Sequence, residues 1–166
     1  PWQSLTDILR NTALLGIFAL GAAVVIIAGG IDLSSGSMIA LSGTIAASTM
    51  LALAPKEIMA FKPVGPAVVA TGVAAALGTG FLVGTLHTWL ITAVRLPPFI
   101  ATLATLVGLR SFARALCESC TLGIVGTKSA QINVSDPIFK AIRDNVWIPV
   151  AVFALLAVFT WVLLTR

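Results

Sequence analysis

The chain of 166 residues is 58% hydrophobic and 10% charged, against roughly 25% charged in soluble domains. A mean hydropathy of +1.07 and several apolar runs near bilayer-crossing length exclude an ordinary soluble globule. The net charge of +4 sits in stretches flanking those runs. No basic patch is interleaved with aromatics, so nucleic acid is not an expected partner.

Trp2, Leu5 and Leu9 fall on one helical face of Trp2–Arg10, which predicts a short interfacial helix leading into the membrane. The first residues lack a basic leader region and Pro1 is not an initiator methionine. No cleavable signal is therefore predicted, and the chain is expected to begin inside a longer polypeptide. Residues 11–28 form the first predicted span, about 27 Å of helix.

Next comes a polar interruption, Gly29-Gly30-Ile31-Asp32-Leu33-Ser34-Ser35-Gly36-Ser37, set between two uncharged runs. An aspartate near the centre of a membrane helix costs of order 2.5–3.5 kcal/mol on insertion scales, so something must offset it. Two glycines release the first helix, and Asp32, Ser34 or Ser35 is expected to cap the next. Freed amides and the positive helix end then accommodate the carboxylate. Residues 36–53 form the second span, in which Gly36, Ala40, Thr44 and Ser48 recur every four residues as a ridge for close packing.

Ala54–Gly65, with Pro55, Lys56, Glu57, Lys62 and Pro63, reads as a surface connection. Residues 67–94 make the third span, where Gly72, Ala76, Gly80 and Gly84 recur every four residues. A buried helix–helix seam is the expected use of that ridge, and a pore lining is the alternative. Arg95 ends the helix, and Pro97-Pro98 opens another at its first turn.

The fourth span, 98–116, is unusual. Phe99–Leu109 supplies about 16 Å of uncharged helix before Arg110. A re-entrant element, or one that snorkels Arg110 and Arg114 to the far interface, satisfies that arithmetic, and an incompletely crossing or distorted element is expected. Cys117–Val146 reads as an extramembrane loop with one short amphipathic element near Pro137–Ile142. Residues 147–165 are the last span, with Trp147 and Trp161 as interfacial anchors and Arg166 as its stop. The predicted fold class is thus an all-α polytopic transmembrane helical bundle with a broken or re-entrant helix, a single domain over 1–166.

Catalytic chemistry finds little material here. One histidine, two cysteines and six acids are too scattered for a triad or a metal cluster, so no catalytic or metal-ligating residue is predicted and no cofactor is expected. Cys117-Glu118-Ser119-Cys120 is a lone CxxC, read as two loop thiols or a local disulfide. No GxxxxGK[ST] phosphate loop occurs, so any ATP hydrolysis must come from a partner.

The break, continued as Met38-Ile39-Ala40-Leu41-Ser42-Gly43, resembles the signature of the permease subunits of ribose- and xylose-type ABC importers. The likeness continues through Gly84-Thr85-Leu86-His87-Thr88-Trp89-Leu90-Ile91-Thr92 and Leu96-Pro97-Pro98-Phe99-Ile100-Ala101-Thr102-Leu103. It covers most of the chain and implies that these residues are about the first half of such a permease.

The resemblance implies a multi-pass bacterial inner-membrane protein moving a monosaccharide by alternating access. Its implied partners are a cytoplasmic ABC ATPase, a periplasmic sugar-binding protein, a second permease subunit in a homodimer, and the lipid bilayer. Asp32, Ser34, Gly36 and Ser37 are expected to shape the broken helix. Phe99 and Thr102 are expected to line the pathway, since ring contact and hydroxyl hydrogen bonds suit a sugar. His87 stands where the family usually has asparagine, and it reads either as a neutral interhelical hydrogen-bonding group or as a pathway residue. The resemblance places Arg95 and Arg166 in the cytoplasm and the Cys117–Val146 loop outside. The positive-inside count runs the other way, through Lys56, Lys62, Lys128, Lys140 and Arg143. Rival readings are a branched-chain amino-acid permease, a secondary transporter with midplane broken helices and, less supported, a membrane enzyme.

Overall fold

The computed structural model describes residues 2–165; Pro1, the side chain of Gln3, and Arg166 with its expected role as a stop lie outside the described residues. All regular structure among the described residues is helical: α1 (Trp2–Ile27), α2 (Ser35–Leu53), α3 (Pro55–Met59), α4 (Pro66–Thr92), α5 (Pro98–Val125), α6 (Pro137–Asp144) and α7 (Trp147–Thr165). Five of them, α1, α2, α4, α5 and α7, are long and apolar enough to cross a membrane. The chain divides into two compact units, one holding α1, α6 and α7 and the other spanning Ile31–Asp136.

In the first unit, α1 is one helix of 26 residues and not an interfacial turn followed by a separate span. Nothing in Trp2–Leu15 breaks it, and the first turns are self-supported. The Thr6 hydroxyl donates to the Trp2 carbonyl at 3.3 Å, and Asp7 pairs with Arg10 at 2.7 Å, a helical i,i+3 contact. Gly29, at φ 78°, ends the helix. Its N–H donates to Ile26 and that of Gly30 to Val25, both at 2.9 Å, the paired bonds of a Schellman motif. A Cβ on Gly16 would lie 2.6 Å from the Phe153 ring, so this glycine is what lets α7 approach α1. Helix α6 is held by the Arg10 guanidinium, which donates to the Arg143 carbonyl at 2.7 Å. Beside it, the Arg143 hydrogen bond keeps the exposed Asp144 carboxyl below its ordinary range.

In the second unit α2 is central. Both α4 and α5 pack on it, and they meet each other far less. Leu41 of α2, Val83 of α4 and Ala113 of α5 are buried together, with Met38, Ile45 and Leu109 against them. Burying side chains of this size is worth about 1.5–3 kcal/mol each in water, but a lipid-facing helix gains its association from packing instead.

The connection 54–65 is more than a surface loop. It contains α3, and Ala54, Ile58 and Val64 are buried. Helix α3 ends in a second Schellman motif, Phe61 N–H to Ile58 at 3.1 Å and Lys62 N–H to Glu57 at 2.8 Å. Phe61 occupies the left-handed position at φ 53°, where glycine is usual.

Helix α5 corrects the expectation of a short or distorted fourth element. It runs without interruption for 28 residues, about 42 Å. Arg114 Nε pairs with Glu118 Oε1 one turn later at 2.8 Å, so that charge is balanced on the helix itself, and the helix stops only at Gly126, φ 81°. Cys117 and Cys120 therefore lie inside α5, not in a loop, and both thiols are free. The loop that follows is tied back by Asp136. Its buried carboxylate accepts the N–H groups of Val64 at 3.0 Å and Gly65 at 3.3 Å, at the start of α4.

Candidate functional site: the polar break and the first turns of α5

The break folds around a single carboxylate oxygen. Asp32 Oδ1 accepts the Ser34 N–H at 2.7 Å and the Ser34 hydroxyl at 2.6 Å. Ser34 has helical dihedrals, φ −83° and ψ −10°, and its own side chain caps nothing. Of the three expected caps, then, it is Asp32 that takes an amide at this helix start, one residue before the assigned Ser35, as an Asx-type turn does. Ser34 is fully buried, and its carbonyl receives the Ser37 hydroxyl at 2.6 Å. Gly36, by contrast, is exposed, with no atom within 4 Å of a Cβ added there.

Thr102 joins this turn to α5. Its Oγ1 lies 3.2 Å from the Ile31 carbonyl, 2.9 Å from that of Pro98 and 3.3 Å from that of Phe99. A hydroxyl has one proton, and here backbone carbonyls surround it in a side chain only 3% exposed. Thr102 thus links backbone to backbone in this conformation. Phe99, one turn earlier, is half-exposed and presents its ring outward.

One turn further along α5, Thr105 Oγ1 lies 3.1 Å from the carbonyls of Ala101 and Thr102 and 2.7 Å from His87 Nε2 of α4. One proton lies between His87 Nε2 and Thr105 Oγ1, and the histidine tautomer decides which of the two donates. His87 is half-buried, and its bond crosses between the two helices that otherwise scarcely meet. Asp32, Ser34, Ser37 and Thr102 are therefore gathered at the N-terminal turns of α2 and α5, and His87 of α4 reaches α5 one turn further on. Sequence reasoning missed Thr105 and the Ile31 carbonyl. The i,i+3 spacing of Thr102 and Thr105 was the available signal.

The small-residue ridge of α4 is not brought together as a unit. A Cβ on Gly72 would collide with the Met50 side chain and lie 3.1 Å from the Ala46 carbonyl, whereas Gly80 and Gly84 have nothing within 4 Å. The face of α4 buried in this unit runs through Val69, Gly72, Thr79 and Val83. A strict four-residue step turns about 40° per repeat relative to the helix axis, so a ridge that starts on the buried face leaves it within two or three steps. Among the described residues no group of three or more His, Cys, Asp or Glu could hold a metal ion.

The family described as branched-chain amino acid transport system / permease component matches residues 4–166. Among curated proteins of Escherichia coli strain K12, the inner membrane ABC transporter permease protein YjfF is 32% identical over 141 residues, 85% of this chain and 36% of its own length. The xylose transport system permease protein XylH is 30% identical over 133 residues, 80% of this chain and 31% of its own. The ribose import permease protein RbsC is 32% identical over 130 residues, 78% of this chain and 36% of its own. The chain thus spans about a third of the length of these relatives. No solved structure matches it significantly.

Proposed function

Because the chain belongs to the branched-chain amino acid transport system / permease component family, we propose that it is the membrane-crossing part of a monosaccharide importer in the bacterial inner membrane. The observation that carries the sugar reading is that relatives with a substrate in their names, XylH and RbsC, are named for xylose and ribose. In this reading the permease has no ATPase site of its own. A cytoplasmic ABC ATPase supplies the energy, a periplasmic binding protein delivers the sugar, and two permease subunits enclose its path. Asp32, Ser34 and Ser37 form the rigid turn about which α2 moves. Thr102 couples that turn to α5, and His87 couples α5 to α4. The exposed ring of Phe99 is the sugar-facing group at that end.

The family's description supports a second reading, a branched-chain amino acid as cargo. Uptake of labelled xylose, ribose and leucine by the permease, co-expressed with its partner ATPase and binding protein, separates the two. ATP-dependent uptake of a sugar but not leucine is expected. Uptake of leucine alone would overturn the sugar reading.

A further inference from the structure

At the opposite end of the Ile31–Asp136 unit from the break, a cavity of about 230 Å³ opens between α3, the C-terminal turns of α2 and α5, and the loop 127–133. One wall is apolar: Ile58, Met59 and Phe61. The loop contributes polar groups, Thr127, Gln131 and Asn133, together with the apolar Ile132. Neither carboxamide, nor the Thr127 hydroxyl, spends a hydrogen bond within the described chain, while the backbone that carries them is fixed. The Ser129 N–H donates to Thr121 Oγ1 at 2.9 Å, and the Ser129 hydroxyl donates to the Gln131 carbonyl at 3.0 Å while accepting the Gln131 N–H at 3.2 Å. Lys128 is held away on Glu118 at 2.9 Å.

Phe61 is the other unusual feature. It holds a left-handed backbone, φ 53°, while leaving two-thirds of its surface exposed at the edge of this cavity. A bulky residue in that conformation is strained, and strain kept without burial in return is more often found where a side chain must be displayed.

No lining residue is ionisable, and Lys128, beside the lining residue Thr127, is engaged by Glu118. A zwitterionic amino acid would bring two charges with no counter-charge in the lining to receive them. A neutral polyol suits the chemistry. Its hydroxyls can take the carboxamide donors and acceptors of the loop, and its C–H face the aromatic and aliphatic residues of α3 and its end. The cavity is smaller than the roughly 300–1,000 Å³ typical of drug-sized ligands. That restricts it to something near the size of one sugar ring.

We propose that this pocket is a binding site for a single neutral monosaccharide, separate from the polar break. The choice of sugar as ligand rests on the importer reading, whereas the place and its neutrality rest on the lining residues. Saturation-transfer difference NMR on the full chain in nanodiscs tests it, with xylose, ribose and leucine as probes. The variants are Gln131→Ala/Asn133→Ala and Phe61→Gly, each checked for unchanged helicity and dispersity. At least one sugar should give a signal and leucine none. Losing two modest hydrogen bonds should weaken the sugar roughly tenfold in the double variant, and Phe61→Gly should also weaken it. Sugar binding equal in all three proteins would place the ligand elsewhere, overturning this site but not the importer reading. Binding of leucine without any sugar would overturn both. Silence from all probes would overturn the site, while sugar uptake by the assembled importer would still uphold the importer reading.

Discussion

Replacing Asp136 by alanine would leave the amides of Val64 and Gly65 without the carboxylate oxygen they share, in a place where that side chain is only 2% exposed. A buried amide that loses its partner costs about 1–3 kcal/mol, so Asp136→Ala should lower the thermal midpoint in detergent by several degrees. Asp136→Asn, which retains an acceptor oxygen, should recover part of the loss. Phe61 predicts the opposite sign. A left-handed position is relieved by glycine, so Phe61→Gly should stabilise the chain by about 1 kcal/mol, read in the same melt. A lowered midpoint there would mean that the ring contributes packing outweighing the backbone strain. At the break, Asp32→Ala removes the acceptor of both the Ser34 N–H and its hydroxyl. A capping loss of about 0.5–2 kcal/mol should leave insertion and ATPase co-purification intact while sugar uptake falls sharply. Asp32→Asn should be milder. Wild-type uptake in Asp32→Ala would reduce this turn to an ordinary connection.

At the scale of the helix, α4 separates two kinds of glycine. Gly72 meets Met50 and the Ala46 carbonyl, whereas Gly80 and Gly84 meet nothing inside the unit. Gly72→Leu should therefore disrupt the α2–α4 pair and lower monomer yield and melting temperature. Gly80→Leu should leave the melt unchanged. If Gly80 serves the second permease subunit, its effect appears only as lost dimer in crosslinking or sizing of the assembled protein. A dimer unaffected by Gly80→Leu would leave that stretch facing lipid. Helix α5 carries the complementary lesson. An ion pair along one face, Arg114–Glu118 at 2.8 Å, lets a charged segment continue as helix. Counting uncharged residues to Arg110 stops the element too early.

For the molecule as a whole, the sequence contains no phosphate loop. This chain in vesicles by itself should neither hydrolyse ATP nor accumulate sugar; ATP-driven uptake by it alone would contradict the division of labour proposed above. Within the Ile31–Asp136 unit, α4 and α5 are each fastened to α2 and only lightly to each other. The His87–Thr105 hydrogen bond is one side-chain link between them. If the bond couples α4 to α5 as proposed, His87→Ala should change uptake while lowering stability, read in the same melt, by no more than about 1 kcal/mol, the net worth of one such bond.

Much of this was legible from residue order alone, because the causes are local. Apolar run length sets which segments are membrane-length helices, Pro97-Pro98 opens α5, and Gly29 ends α1 through a left-handed residue that glycine supplies without strain. The break at Asp32 was visible for the same reason, as a carboxylate within three residues of the amide it binds. Tertiary structure decided what depends on partners distant in sequence. Asp136 reaches amides 71 and 72 residues away, Thr102 reaches the Ile31 carbonyl, and His87 finds Thr105. Which glycines of α4 meet a neighbour was also decided there, since a spacing of four fixes a ridge on the helix but not the direction from which another helix arrives.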